Sequence, residues 1–243
     1  MGVAFDLEGA SVDLEDQRHE AHLRAAASFD IAIDREFAIA YLPHFIGGPD
    51  ELVAEEIFAL ARASLPMDRT SFVDEFLSRD RSAFDLLLRD CPIAPRDGYL
   101  EFVDWLHSMR VPTSIGSLTS TDQATVILER SGLARLFGRC IVLREDVKEV
   151  KPAPDVFLAT ARLMEISPTL QIVYEDSPRG VMASYRAGSH PIGMPVIDHP
   201  AALRALEAAN PLAIFSDWRD ANLRSFTLRM IAMLLESGQD ARL

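Results

Sequence analysis

Five short apolar runs, at residues 112–116, 140–143, 171–174, 191–194 and 212–215, alternate with helix-length segments through the second half of the chain. Strands spaced this far apart cannot pair as hairpins. The arrangement that buries both faces of each is a parallel, doubly wound sheet with helices on either side. A sixth run, Val3-Ala4-Phe5, stands alone at the start. A block that reads as helix from Val12 to about Leu88 separates it from the others. In that block Phe37, Tyr41, Leu42 and Phe45, then Leu52, Val53, Ile57, Leu60 and Ala61, then Phe72, Phe76, Phe84, Leu87 and Leu88 recur at helical spacing. Cys91-Pro92-Ile93-Ala94-Pro95 breaks the run. The expected architecture is therefore α/β: a Rossmann-like core from residues 1–13 and 94–243, and a smaller all-α helical domain from residues 14–93.

The helices carry their own punctuation. Gly47-Gly48-Pro49-Asp50 ends one helix and starts the next. Ser120 and Gln123 have capping-box spacing for a helix that stops near Gly132. Pro154 suits a first helical turn, and another helix is expected from Ser177-Pro178 to Gly188. After Phe215 one or two terminal helices follow, without legible chemistry.

Composition narrows the partners. With 243 residues and 49% hydrophobic content, a sizeable core is available. A net charge of −13 disfavours nucleic acid or an anionic membrane surface, since both require clustered positive charge. Cys91 and Cys140 lack metal-ligand spacing and read as buried thiols of a reducing compartment. The start of the chain has no basic, apolar leader pattern, so a cytoplasmic location is expected.

Charged and hydroxyl residues sit at the ends of the apolar runs. Asp6-Leu7-Glu8-Gly9 follows Phe5, Ser117 follows Ile115-Gly116, and Glu175-Asp176-Ser177-Pro178 follows Ile172-Val173-Tyr174. Lys151-Pro152-Ala153-Pro154-Asp155 precedes a helix, shortly after the run around Ile141. In an open parallel sheet, ligands bind beyond the carboxyl ends of the strands, so these residues should converge at one edge. Each piece alone is an ordinary cap or turn; all four in this order point to one chemistry. A carboxylate nucleophile, a hydroxyl, a lysine and a further carboxylate pair are what phosphoryl transfer through an aspartyl-phosphate needs. Lysine usage agrees: only Lys148 and Lys151 occur, against 22 arginines.

These motifs resemble the haloacid dehalogenase-like superfamily, in the branch with a helical cap between the first and second motifs. That branch includes β-phosphoglucomutase-like and phosphoglycolate phosphatase-like proteins. The match is closest over Val147-Lys148-Glu149-Val150-Lys151-Pro152-Ala153-Pro154-Asp155 and Tyr174-Glu175-Asp176-Ser177-Pro178-Arg179-Gly180-Val181. The resemblance implies that Asp6 attacks phosphorus and that Glu8 protonates the leaving oxygen and then activates water. It implies that Ser117 and Lys151 bind the transferring group. Asp6, the Glu8 carbonyl and Asp176 would hold Mg²⁺, with Glu175 as a direct or water-mediated ligand. The cap would close over the sheet edge on hinges after Asp13 and around residues 92–95.

The first motif departs from the family pattern, Asp-x-Asp-Gly-Thr-Leu. Here Glu8 stands for the second Asp and Ala10 for Thr. Glutamate has similar acidity, but its extra methylene moves the carboxyl by about 1.5 Å. A dehalogenase would carry an aromatic at position 8, and a phosphonatase would need a cap lysine that residues 14–93 lack. A mutase would need a basic residue after the cap's glycine turn, where Pro49-Asp50-Glu51 stands. The implied activity is a Mg²⁺-dependent phosphohydrolase acting on a small phosphorylated metabolite. The alternatives are a sugar-phosphate mutase and a catalytically degenerate phospho-ligand-binding protein. His19 and His22, on the first helix of the block, are expected as solvated surface residues, and Arg18, Arg24 and Arg35 as candidate phosphate contacts.

Overall fold

The computed structural model describes residues 1–46, 48–196 and 199–240. It divides into two compact units, residues 14–92 and residues 1–13 with 93–243.

The smaller unit is built from α1 (Glu15–Ala27), α2 (Arg35–Tyr41), α3 (Asp50–Ala61) and α4 (Arg69–Asp90). Asp34 and Asp68 cap α2 and α4 by accepting from the backbone N–H groups of Phe37 and Ser71, at 2.8 and 3.0 Å. Gly47, half of the expected Gly47-Gly48 break, lies outside the described residues; α3 starts at Asp50 with Pro49 before it. Ala25, Ala26, Leu42, Phe45, Val53, Ile57, Phe72 and Phe76 form its core.

Two residues here overturn the surface expectation. His19 and His22 are 2% and 3% exposed. They stand at i and i+3 on the same stripe of α1 as Ala26, and that stripe faces the core. Phe45 stacks on His19, with ring centroids 4.6 Å apart. The His22 Nδ1 lies 2.8 Å from the buried Asp80 carboxylate. The candidate arginines are engaged locally: Arg24 with Glu20, Arg35 with Asp16, and Arg18 over the Phe84 ring.

His19 has no well-formed hydrogen bond at either ring nitrogen, although Glu15 Oε2 lies 3.4 Å from Nε2. Burial, with the nearby Arg35 charge and His22, lowers its pKa to about 4. Below pH about 6.5 the unfolded chain takes up a proton that the folded imidazole refuses, so stability falls as pH drops from about 6.5 towards 4. Between pH 7 and pH 5 we expect a loss on the order of 2 kcal/mol from this group. His19→Leu should flatten that part of the profile in urea unfolding of the full chain. An unchanged slope would contradict this account.

The larger unit contains β1 (Gly2–Phe5), β2 (Thr113–Gly116), β3 (Ile141–Val142), β4 (Gln171–Glu175) and β5 (His190–Gly193), all parallel, in the order β3-β2-β1-β4-β5. The expected doubly wound sheet is thus present. β1 is central, and the chain runs outward from it to β3 before crossing back to β4, which makes the β1/β4 boundary the topological switch point. Register aligns Ala4 with Val173 and Phe5 with Tyr174. Side chains alternate across the sheet, so these pairs face opposite layers. Ala4 and Val173 join a core with Val156, Phe157, Ala183 and Ala187, from α8 (Asp155–Leu163) and α9 (Pro178–Ala187). Phe5 and Tyr174 stack on each other and meet Trp218, with Tyr99 and Phe102 of α5 (Tyr99–Ser108).

The remaining helices are α6 (Thr121–Ser131), α7 (Leu133–Phe137), α10 (Pro200–Ala208) and α11 (Leu223–Asp240). Gly132 ends α6 and Gly188 ends α9, both in the left-handed conformation that glycine adopts without steric cost.

Three local expectations are corrected. Residues 212–215 form no strand; they run beside β5 through three backbone bonds and a single bridge, Gly193 to Ile214. The Ser120 side chain makes no cap bond. Glu145, 24 residues on, accepts from both the N–H and the hydroxyl of Thr121 instead. Cys91 and Cys140 are half-buried rather than buried, and neither is in a disulfide. Among the described residues, no helix is long and apolar enough to cross a membrane.

Candidate active site

Asp6 is the first residue beyond β1, held there by its own N–H donating to the Tyr174 carbonyl at 3.0 Å. Ser117 is the first residue beyond β2, its N–H on the Val142 carbonyl at 2.9 Å. Glu175 ends β4, and Asp176 follows it. Strand polarity therefore delivers all four to the carboxyl edge of the sheet, around the switch point.

Lys151 connects them. Its Nζ donates to Asp6 Oδ1 and to Glu175 Oε1, and lies 3.4 Å from the Gly116 carbonyl. Asp6 and Lys151 are each only 6% exposed and Glu175 is fully buried. Burial raises the Asp6 carboxyl well above the usual carboxylate range, with Lys151 opposing and Glu175 adding to the rise. Burial works against the Lys151 charge, but the two carboxylates outweigh it and raise that pKa further. The lysine thus stays an ammonium, shared between the Asp6 and Glu175 carboxyl groups in a buried site.

The Glu175-Asp176-Ser177-Pro178 segment has a compact logic. Glu175 Oε2 accepts from the Ser177 N–H at 3.0 Å and from the Ser177 hydroxyl at 2.9 Å, while Ser177 Oγ caps α9 by accepting from Gly180 N–H. The backbone of α9 lies directly on the Glu175 carboxyl: a Cβ at Gly180 would come within 1.8 Å of it. Both Glu175 oxygens are therefore engaged by protein groups, and its observed place is beside Lys151. Gly9 is equally constrained. Its φ is +92°, and a Cβ there would fall 2.1 Å from Asp176 Oδ2. The loop that begins at Asp6 is thereby packed against the Asp176 carboxylate.

Glu8 is half-buried, and its Oε1 accepts from the Thr119 hydroxyl. Thr119 Oγ1 also lies 2.8 Å from Ser117 Oγ.

Several supports of the site were not evident in the sequence. Ser11 Oγ donates to the Asp6 carbonyl at 2.6 Å, so a hydroxyl still braces the loop although position 10 is alanine. Trp218 Nε1 donates to the Ala10 carbonyl at 2.9 Å from 208 residues away. Arg96 donates to the carbonyls of Gly9, Met194, Pro195 and Ser216, each at 2.9 Å. Arg179 and Arg186 of α9 hold the carbonyls of Lys151 and Pro152. Of these, only the tryptophan carried a signal, as a large aromatic in a tail otherwise without landmarks.

The model of one family, haloacid dehalogenase-like hydrolase, matches residues 3–194 continuously, from β1 to just past β5. The chain belongs to the haloacid dehalogenase-like hydrolases. Among curated relatives of this hydrolase, the fructose-1-phosphate phosphatase YqaB of Escherichia coli is 28% identical over 187 residues, covering 77% of this chain and 92% of the relative. Validoxylamine A 7'-phosphate phosphatase of Streptomyces hygroscopicus subsp. limoneus is 29% identical over 192 residues, covering 78% and 83%. Among solved structures, a haloacid dehalogenase-like hydrolase from Deinococcus radiodurans with bound phosphate and sodium is 25% identical. It superposes with a TM-score of 0.71 over 94% of this chain and 95% of that one.

Proposed function

We propose that this hydrolase cleaves small phosphate monoesters through an aspartyl-phosphate on Asp6. The observation that carries the reading is the buried Asp6–Lys151–Glu175 constellation at the carboxyl edge of β1, with Ser117 and Asp176 at the ends of the neighbouring strands.

An Asp6 carboxylate oxygen attacks phosphorus as the bond to the ester oxygen breaks. The Glu8 carboxylic acid gives its proton to that leaving oxygen. Glu8, now a carboxylate, takes a proton from water, whose oxygen attacks the phosphoryl group. The bond from phosphorus to Asp6 breaks, inorganic phosphate leaves, and both carboxyl groups return to their starting states. The Lys151 ammonium meets the charge on the phosphoryl oxygens, and the Ser117 hydroxyl turns its one proton from Thr119 to one of them when the phosphoryl group is bound.

The donor set around Asp6 fits a hard divalent cation. It offers only oxygens: the Asp6 and Asp176 carboxylates and the Glu8 carbonyl. Bound there, Mg²⁺ would shield the approach of one anion to another and stabilise the transferring group. Glu175, with both oxygens engaged, would act by fixing Lys151.

Several curated relatives are named as phosphatases of fructose 1-phosphate, phosphorylated carbohydrates, glycerol 3-phosphate and hexitol phosphates, which is the class to test first. The experiment is Mg²⁺-dependent release of inorganic phosphate from fructose 1-phosphate, hexitol phosphates and glycerol 3-phosphate. Release abolished by EDTA and restored by Mg²⁺ is expected. Phosphate-ester binding without release would instead identify a degenerate binding protein, and conversion to an isomeric phosphate would identify a mutase.

A further inference from the structure

We propose that Thr119 is a positioning residue for Glu8, and that it makes the longer side chain at position 8 usable. The proposal rests on the hydrolase reading above, in which Glu8 is the acid and base.

Glutamate has one more side-chain torsion than aspartate, and its carboxyl stands about 1.5 Å further from the backbone. An unanchored Glu8 would sample several positions, and a displacement of that size can cost about 10²-fold in rate. Thr119 supplies an anchor. It is 6% exposed, three residues beyond the end of β2, and its hydroxyl donates to Glu8 Oε1. The hydroxyl is itself fixed from behind. Ser117 Oγ lies 2.8 Å from Thr119 Oγ1, and the Thr119 N–H donates to Ser117 Oγ at 3.2 Å. A threonine hydroxyl has one proton, and here it goes to Glu8. The bond between the two hydroxyls must then run from Ser117 to Thr119. In the substrate-free site a single directed chain runs from Ser117 to Thr119 to Glu8. When a phosphoryl group takes the Ser117 proton, the Thr119 N–H still donates to Ser117 Oγ and the Thr119 hydroxyl still donates to Glu8. An aspartate at position 8 would end short of Thr119 by about that same 1.5 Å and would not need it.

The test is a double-mutant cycle in the full chain, using Thr119→Val, which keeps the shape and removes the hydroxyl, and Glu8→Asp. Thr119→Val should lower kcat about 10- to 100-fold on an alkyl phosphate, with KM changed by less than about twofold. Thr119→Ser should restore kcat to within about threefold of wild type. In the Glu8→Asp background, Thr119→Val should cost less than about twofold. With p-nitrophenyl phosphate, whose leaving group needs no proton, the loss in kcat/KM should be smaller than with the alkyl ester. Equal losses from Thr119→Val in both backgrounds would overturn the proposal, as would a fully active Thr119→Val. A wild-type protein that releases no phosphate from any monoester would overturn the hydrolase reading and this proposal with it. An active wild type with an indifferent Thr119 overturns this proposal alone.

Discussion

Asp6→Asn is expected to reduce phosphate release by at least about 10⁴-fold, the scale on which removal of an attacking group acts. The amide keeps the shape of the carboxyl but has no anionic oxygen to form the bond to phosphorus. Lys151 would still have Glu175 as its counterion, so the lysine remains charged and the site should stay folded. Two measurements separate this outcome from simple unfolding. Urea unfolding should shift by no more than about 2 kcal/mol, the cost of one altered buried polar contact. Intact-mass spectrometry after a brief reaction and acid quench should find the phosphoryl adduct on wild type and none on the variant. Substantial turnover by Asp6→Asn would rule out the aspartyl-phosphate route.

Lys151→Met is expected to cost both activity and stability. The substitution leaves Asp6 and Glu175 facing one another in a buried site without the ammonium that now joins them. Removing one partner of a buried ion pair typically costs about 3–5 kcal/mol, because the remaining charge is stranded. Adding Asp6→Asn to Lys151→Met should recover part of the loss, since one of the stranded charges is then removed. Urea unfolding of the wild type and the single and double variants tests this directly. A loss below about 1 kcal/mol for Lys151→Met would mean that the ammonium contributes little to the folded state. Phosphate release by Lys151→Met should fall by about 10²-fold or more, the scale of losing one charged stabiliser of the transition state.

The alternation of short apolar runs with helices made the parallel sheet legible, because burial on both faces requires apolar strands and the spacing excludes hairpins. The start of α8 and both ends of α9 were equally readable, since Pro154, Ser177 and Gly188 act through local backbone geometry. Where an end is satisfied by a distant residue, the local pattern misled. Ser120 has cap spacing, yet the start of α6 is capped by Glu145. Periodicity gave an equally incomplete account of α1. A histidine on a helix reads as polar, but His22 is buried because Asp80, 58 residues away, satisfies its Nδ1. The run at 212–215 has the composition of a strand, but it makes only one bridge to β5 at the edge of the sheet.

The layered architecture, and the order in which Asp6, Ser117, Lys151 and the Glu175-Asp176 pair follow the strands, are written in the chain, because hydrophobic period and strand polarity are local properties. What each of these groups meets is set by the folded molecule. Lys151 joins Asp6 to Glu175 across 145 and 24 residues. Glu175 has both oxygens committed to protein groups, Thr119 donates to Glu8 across 111 residues, and Trp218 and Arg96 brace the loop from far along the chain. The reason is physical. A buried polar group must be satisfied wherever a partner can be found, and in a parallel sheet whose strands arrive out of sequence order, that partner is seldom nearby in the chain.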